Sequence, residues 1–173
     1  MLPWIYDTNK DNSVRFTLGI ESDNPLFCFG INPSTAEPDR LDNTLKSVER
    51  IARRHNFRGW VMLNVYPQRA TNPRDIHTQK DSVLHKQNLK HIEKFFKKNK
   101  PVILAAWGTL IYTRPFLKEC LRDIYRISQK YNCQWKCIGP ISKQGHPHHP
   151  LYLSNRERMK SFNMQMYIEN NLL

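Results

Sequence analysis

The sequence predicts an α/β protein, a three-layer α/β/α sandwich with a mostly parallel central sheet, and two observations lead to this prediction. Short apolar runs alternate with longer segments in which apolar residues recur at helical spacing. Most of the runs lack polar alternation, which is typical of strands covered by helices on both faces. Because 173 residues suit one compact core and no long linker interrupts the pattern, we expect a single domain over residues 1–173.

Five segments are the predicted strands. Residues 13–20 (SVRFTLGI) alternate apolar and polar side chains, as a strand with one buried face does. The other four segments are short and largely apolar: residues 25–31 (PLFCFGI), 60–65 (WVMLNV), 101–107 (PVILAAW) and 134–138 (QWKCI). A helical segment follows each of these four, so the predicted order is one strand and then four strand–helix units.

The first predicted helix follows an N-cap at Asp42 or Asn43, and Gly59 is its expected stop. The residues of its buried face recur at helical spacing and comprise Leu45, Val48, Ile51 and Ala52.

Two further helices are predicted over residues 82–99 and 110–130. The last helix is expected to begin at Ser154, where Ser154 and Glu157 form a capping box. Its inner face is expected to carry Met159, Phe162 and Met166.

The strongest signal in the composition is positive charge. Lys and Arg number 27 against 15 Asp and Glu, which gives a formal net charge of +12. An excess of this size attracts polyanions and favours nucleic acid as the partner. Solubility alone is the alternative explanation.

Other classes of protein are disfavoured. No apolar segment is long enough to cross a bilayer, and residues 1–12 lack the basic start and apolar run of a secretory signal. The cysteines do not form a dense disulfide framework, so we expect reduced thiols at Cys28, Cys120, Cys133 and Cys137. We therefore expect a cytoplasmic monomer that binds no membrane.

The most unusual polar residues lie where the predicted strands end. In open α/β sheets, ligands bind outside the carboxyl ends of the strands. Four loops meet at this edge in the predicted fold: residues 30–44, 64–75, 107–109 and 139–154. This edge is therefore the predicted site.

Several candidates at this edge also have ordinary structural explanations. Asn32, between Gly30 and Pro33, could simply shape a tight turn, and Trp107 is more typical of a core. The carboxamide of Asn64 ends a buried strand and needs a partner in the backbone or in a ligand.

The histidine-rich loop raises the question of a metal. His146, His148 and His149 could be combined with Cys133 and Cys137, but the two cysteines have an odd spacing for zinc. We therefore expect no metal, and we interpret His146 and His148 as turn or phosphate-side residues.

Four of these segments resemble motifs of the uracil-DNA glycosylase superfamily. GINPS after the first buried strand is similar to the first motif, nearest the GINPG of the mismatch-specific uracil/thymine branch. HPLYLS resembles the second motif, HPSPLS, while NVYP and AAWGT resemble two further strand ends. Together with an Asp-x-Thr at residues 42–44, these segments also resemble a family of small bacterial and phage proteins with no assigned activity.

The resemblance implies a uracil-DNA glycosylase-like fold and a role for particular residues. Asn32 matches the water-positioning residue, and His149 matches the histidine that donates to the carbonyl of the leaving base. Asn64 matches the strand-end asparagine, and Leu153 matches the wedge that replaces a flipped nucleotide. The base-binding group is completed by Ser34, Ile31 and Tyr66.

The sequence also departs from the motifs. Ser34 stands where the uracil-specific branch has a tyrosine, which leaves room for a 5-substituted or larger base. Leu151 and Tyr152 replace Ser and Pro of the second motif, so the phosphate contact is altered. Asn32 cannot act as a base, and Asp42 is therefore the second catalytic candidate, with a helix N-cap as its alternative role.

The resemblance finally predicts contacts with DNA. Residues in or beside the same loops could hold phosphates or bases, or could simply form a solvated surface: Tyr152, Ser154, Arg40, Arg69, Arg74, Lys143 and Arg156. No cofactor is expected, because the cysteines do not suit the iron–sulfur branch. The predicted function is a DNA glycosylase that hydrolyses the N-glycosidic bond of a flipped base. The alternatives are a non-catalytic nucleic-acid-binding protein and an enzyme that acts on free nucleotides or nucleosides.

Overall fold

The central sheet of the protein has seven strands, and their residues are mostly the apolar runs of the sequence. The computed structural model describes residues 3–98, 101–154 and 156–173. The strands are β1 (Trp4–Thr8), β2 (Arg15–Ile20), β3 (Pro25–Gly30), β4 (Gly59–Asn64), β5 (Val102–Ala105), β6 (Gln134–Ile138) and β7 (Met159–Ser161). Their spatial order is β1-β2-β4-β3-β5-β6-β7.

The predicted α/β architecture is confirmed, but the sheet is mixed. The four central strands, β4-β3-β5-β6, are parallel to one another. The strands that flank them, β1, β2 and β7, pair in antiparallel orientation. Two of these, β1 and β7, are absent from the predicted set of strands.

Within the described residues, four α-helices connect or follow the strands: α1 (Asn43–Arg54), α2 (Ser82–Phe96), α3 (Pro115–Lys130) and α4 (Met164–Asn171). The third helix begins five residues later than residue 110, because Pro115 occupies its first turn and a separate 3-10 turn (Gly108–Tyr112) precedes it. Asn99, the predicted end of the second helix, lies outside the described residues, as do Met1 and Leu2 of the N-terminal segment.

The predicted last helix from Ser154 is wrong. Met159, on its expected inner face, instead begins β7, whose backbone pairs with β6, and Asn163 caps the later helix α4. Met166 is 55% exposed and does not face inward. The prediction failed because a short run of apolar residues fits a helix and an edge strand equally well. Asn155, which falls in this segment, lies outside the described residues.

The sheet carries a hydrophobic core on each face, because successive side chains of a strand point to opposite sides. In β3, Leu26 and Cys28 pack in the core that contains α1. Phe27 and Phe29 pack in the larger core that contains side chains of α2, α3 and α4. The helices therefore cover both faces of the sheet.

Helix α1 ends differently from the prediction. Asn56, with a φ of 63°, has the left-handed backbone that follows the helix. Gly59 instead begins β4, and a Cβ atom there would lie 2.4 Å from the carbonyl oxygen of Ile20. The glycine is thus required by a close approach of two backbones.

Other expectations can be compared with the structure. The four cysteines are free thiols, three of them buried, and Trp107 lies in the core. None of the described helices combines the length and the apolar composition that a membrane crossing requires.

Candidate active site

A cavity of about 340 Å³ opens at the carboxyl end of β3. Its volume lies in the range of small-ligand sites. It collects the three predicted catalytic residues, two predicted base-binding residues and one residue that the sequence analysis did not select: Asn32, Asp42, His149, Ile31, Ser34 and Arg15.

Three separate parts of the fold bring the catalytic candidates together. Asn32 follows β3 directly, and Asp42 is the N-cap of α1. His149 precedes the 3-10 turn Pro150–Tyr152 and is its N-cap. Their convergence on one cavity follows from the parallel central strands, whose carboxyl ends lie at the same edge of the sheet.

The carboxamide of Asn32 is held by two backbone carbonyl groups. Its Nδ2 atom donates to the oxygen of Pro33 at 3.0 Å and to the oxygen of Ala70 at 2.7 Å. Both amide hydrogens are therefore used within the protein. The Oδ1 atom, which can only accept a hydrogen bond, is what Asn32 can offer to a water molecule or a ligand.

The imidazole of His149 has one hydrogen bond that assigns its tautomer. Its Nδ1 atom accepts from the backbone N–H of Leu151 at 3.3 Å, so the neutral ring carries its proton on Nε2. Burial lowers the pKa of His149, and the nearby Asp42 carboxylate opposes this effect only in part. At neutral pH His149 is therefore an uncharged donor.

Asp42 combines the two roles that the sequence left as alternatives. Its Oδ1 atom accepts from the backbone N–H of Leu45 at 2.9 Å and so caps α1. The same side chain lines the cavity. One carboxylate oxygen thus positions the group, and the other can accept a proton or face a positive charge.

Arg15 is a site residue that the sequence analysis missed. It lies in β2, is 2% exposed, and donates from Nη1 to the carbonyl oxygen of Ala36 at 2.9 Å. Its Nε atom is buried without a partner, and no salt bridge to Arg15 occurs among the described residues. Burial is the main reason that the pKa of Arg15 falls to about 10, with a smaller contribution from Arg69. The guanidinium therefore remains charged at neutral pH.

The reason for missing Arg15 is physical. The alternation in residues 13–20 predicts that the polar side of the strand faces solvent. All six residues of β2 are buried. The strand departs from regular alternation, because Phe16 packs in the core on the α2 side while Leu18 packs in the core on the α1 side. Its pairing with β1 is irregular in this stretch, and the side chain of Arg15 reaches the loop that contains Ala36. An arginine between Val14 and Phe16 was the available signal, and its meaning depends on neighbours far along the chain.

Asn64 lies beside the cavity but does not line it. Its side chain is fully buried, and neither Oδ1 nor Nδ2 has a hydrogen-bond partner among the described residues. A Cβ atom on Gly30 would lie 3.5 Å from Oδ1, so the missing side chain of Gly30 leaves this carboxamide next to the cavity wall. A buried carboxamide without partners is costly and is compatible with a ligand-binding role.

Two predicted site residues occupy other places. Tyr66 is buried in the core on the α2 side of the sheet, where its hydroxyl bonds to His77 Nδ1 at 2.9 Å and accepts from the N–H of Asp81. Leu153 is half-buried and packs against the core on the α1 side. Neither residue lines the cavity.

The predicted DNA-contacting residues divide into exposed and internal groups. Tyr152 is 78% exposed beside Leu151, which is 43% exposed. Other exposed members are Ser154, Arg40, Arg74, Lys143 and Arg156. Arg69 instead bonds within the protein, to the carbonyl oxygen of Ser34, the hydroxyl of Tyr6 and Oδ1 of Asn12.

A second cavity of about 350 Å³ adjoins the first, and His149 and Leu110 line both. His146 contributes to its wall and is held by a chain of hydrogen bonds. Trp107 Nε1 donates to the hydroxyl of Tyr167, and this hydroxyl is hydrogen-bonded to His146 Nδ1, each at 2.9 Å. Across the described ranges, no group of three or more His, Cys, Asp or Glu side chains is arranged to hold a metal ion.

A protein-family model matches most of the chain. The model of the family described as "Protein of unknown function (DUF1643)" matches residues 15–151. This range includes all the residues that line the first cavity, from Arg15 to His149. Searches of curated proteins and of solved structures gave no significant match.

Proposed function

The chain belongs to the DUF1643 family, and we propose that it is a DNA glycosylase-like enzyme that hydrolyses the N-glycosidic bond of a base flipped out of DNA. The proposal includes a fold related to uracil-DNA glycosylases, in which the parallel strands β4-β3-β5-β6 form the centre of the sheet. It rests on the motifs in the sequence and on the geometry of the first cavity.

The observation that carries the proposal is the convergence of Asn32, Asp42 and His149 on one cavity. Asn32 and Asp42 come from the loop between β3 and α1, and His149 comes from a loop far along the chain, after β6. They supply a fixed acceptor, a carboxylate and a neutral donor. These are the groups that cleavage of an N-glycosidic bond uses, because the reaction needs positioned dipoles more than a strong nucleophile.

The chemical step assigns each group a task. The bond between the sugar C1′ atom and the base nitrogen breaks, and both electrons leave with the base. Asn32 Oδ1 holds the attacking water, which bonds to C1′ and loses a proton to Asp42. His149 Nε2–H donates to a base oxygen as negative charge develops there, and the departed base then takes up a proton from solvent.

Binding to DNA is supported by charge and by the surface beside the cavity. The net charge of +12 favours a phosphate backbone as the partner. Tyr152, exposed at the rim of the second cavity, offers a ring that can stack on a base or enter the gap that a flipped base leaves. We assign this task to Tyr152, since Leu153 packs against the core.

The cavity also bears on the choice of base. Ser34, with a small side chain, lines the wall at the position where the uracil-specific motif has a tyrosine. We therefore expect the accepted base to be a 5-substituted or larger base, in place of uracil or in addition to it.

The proposal is tested with labelled single-stranded and duplex oligonucleotides that carry uracil, mismatched thymine, or 5-modified and deaminated bases. Hot alkali cuts the strand wherever an abasic site has formed. We expect a cut that Asn32→Ala and His149→Ala reduce by about 100-fold or more, the usual range for such groups. His55→Ala, at the far end of α1, is the matched histidine control and should retain activity.

The other outcomes identify the alternatives. Salt-sensitive binding of DNA without any cut would indicate a non-catalytic binding protein, since phosphate contacts weaken steeply with salt. Absence of both cutting and binding would contradict the proposal and favour an enzyme of free nucleotides or nucleosides.

A further inference from the structure

Arg15 places a buried positive charge in a wall of the cavity that has little exposure to water. Among the described residues, Nη1 of its guanidinium donates to the oxygen of Ala36, and Nε has no partner. A buried cation without a bonded carboxylate is costly to keep, because burial removes its hydration. Such a cost is more easily explained if a ligand supplies the missing negative charge.

A structural role alone explains Arg15 poorly. The oxygen of Ala36 also accepts from Arg69 Nη1 at 3.4 Å, so it does not depend on Arg15. Arg69 itself is anchored to Ser34, Tyr6 and Asn12. Nε of Arg69 also lacks a partner, but both of its Nη atoms are hydrogen-bonded. Among the described residues, Arg15 has one such bond, from Nη1, and it therefore differs from Arg69 at Nη2.

The cavity contains one further charge, of opposite sign. Asp42 and Arg15 both line it, and their charges influence each other, but no salt bridge joins them among the described residues. The two charges are therefore not neutralised by direct contact. A ligand that is positive at one end and negative at the other would match this arrangement.

We propose that the guanidinium of Arg15 binds a nucleobase that carries negative charge, either on an acidic substituent or on the ring as the base leaves the sugar. The inference rests on the proposed function, because it takes the occupant of the cavity to be a base. Cleavage of the N-glycosidic bond leaves positive charge on the sugar and the bonding electrons on the base. Asp42 then faces the sugar, and Arg15 faces the base.

The first test measures binding of two free bases by calorimetry. 5-Carboxyuracil and 5-carbamoyluracil have nearly the same shape and differ by one negative charge. We expect the carboxylate to bind at least about tenfold more tightly, as a charge-assisted hydrogen bond predicts. Equal affinities in the unmodified protein would exclude an acidic substituent as the group that Arg15 binds.

Variants at Arg15 connect this preference to the side chain. Arg15→Met should abolish the preference for the carboxylated base. The thermal midpoint should stay unchanged or rise, because a methionine of similar volume replaces an unpaired buried charge. Arg15→Lys keeps the charge and should keep part of the preference. Arg53→Met, which removes a charge on the exposed side of α1, should leave it unchanged. A preference that survives in Arg15→Met contradicts the assignment.

A third arm uses inorganic phosphate. If phosphate binds in an Arg15-dependent manner and the carboxylated base does not bind, the cavity holds the phosphate of a nucleotide, and the inference is wrong. A preference for the carboxylated base without cutting of any oligonucleotide would instead refute the glycosylase activity and retain the anionic base. Cutting of an oligonucleotide without a preference for the carboxylated base would support the glycosylase activity and refute the binding of an anionic base substituent.

Turnover tests the leaving base directly. The comparison uses two pyrimidines that differ only at C5, one with a methyl group and one with fluorine, whose anion is stabilised by the fluorine. The Arg15→Met substitution should lower the cleavage rate by a larger factor on the 5-methyl pyrimidine. Asn32→Ala should lower the cleavage rate by a similar factor on both pyrimidines, because Asn32 holds the attacking water and does not contact the leaving base. If Arg15→Met lowers the cleavage rate by the same factor on both pyrimidines, Arg15 does not stabilise the negative charge of the leaving base.

Discussion

At the scale of single residues, Asn32 shows how one side chain can be both an anchor and a candidate catalytic group. Its Nδ2 atom ties the loop after β3 to the carbonyl oxygen of Ala70, and its Oδ1 atom is left over. This geometry explains an amide at a position where a carboxylate would be a stronger base. A carboxylate would place an acceptor oxygen, in the position of Nδ2, against both carbonyl oxygens.

We therefore expect Asn32→Asp to lower the free energy of unfolding by about 1–3 kcal/mol at neutral pH, because two hydrogen bonds become repulsive contacts. The difference in the free energy of unfolding between this variant and the unmodified protein should become smaller as the pH falls, because a protonated carboxyl group can donate a hydrogen bond again. Urea denaturation at several pH values measures this. Asn72→Asp is the control, because Asn72 accepts from the N–H of Arg74 and Asp can do the same. Equal losses in the two variants would contradict the explanation.

The protonation of His149 is a second prediction at this scale. Burial lowers its pKa, and Asp42 raises it. Asp42→Asn should therefore lower the pKa of His149 further while keeping the helix cap. Proton NMR titration of the imidazole measures the midpoint, which we expect below the usual value of about 6.5 in both proteins. Asp39→Asn, at an exposed position, controls for the loss of one charge, and a similar shift in that variant would contradict the assignment.

The positions of site residues could be predicted from the sequence where they depend on the ends of strands and helices. Asn32, Asp42 and His149 follow or precede elements whose order is visible in the hydrophobic pattern, and the structure brings them together. Tyr66 does not line the cavity, although it is close to Asn64 in the sequence, because its side chain packs in the core on the α2 side of the sheet. Arg15 was missed because burial of the polar side of β2 depends on distant segments.

At the scale of elements, local pattern located the central strands and most of the helices. Residues 134–138 form β6 as predicted, and α2 begins at Ser82 as predicted. The failures, β1 and β7, are short antiparallel strands with partly exposed side chains. Their existence depends on pairing with β2 and β6, which no local periodicity contains.

The end of α1 provides a prediction about one element. Asn56 has a φ of 63°, a conformation that Asn and Gly tolerate and a β-branched residue does not. Asn56→Val should lower the free energy of unfolding by about 1–2 kcal/mol, and Asn56→Gly should be neutral or slightly stabilising. Chemical denaturation of the three proteins measures both. Equal stability of the valine and glycine variants would show that the turn can relax.

At the scale of the whole molecule, the sheet and its two cores bury several histidines in neutral form. Burial lowers the pKa of His146, and it is also the main cause of the lowered pKa values of His149 and His91. In the unfolded chain these groups take up protons near their usual pKa. Folding is therefore favoured when they are neutral in both states.

It follows that the free energy of unfolding should be highest above about pH 6.5 and fall as the pH drops toward the lowered folded-state values. The unfolded state binds more protons in this interval, which gives the sign. Urea midpoints between about pH 7.5 and about pH 5 measure the slope. His146→Gln, which cannot take up a proton, should have a shallower slope, and an unchanged slope would contradict the role of His146.

The wall between the two cavities has a consequence for ligands that occupy both. His149 lines each of them, and its ring can satisfy only one arrangement at a time. A molecule that fixes this ring from one side therefore changes the affinity on the other side. Thermodynamic reciprocity requires the change to be the same factor in both directions. Under the proposed function, a base held in the first cavity would therefore alter the affinity of the second cavity for its own occupant.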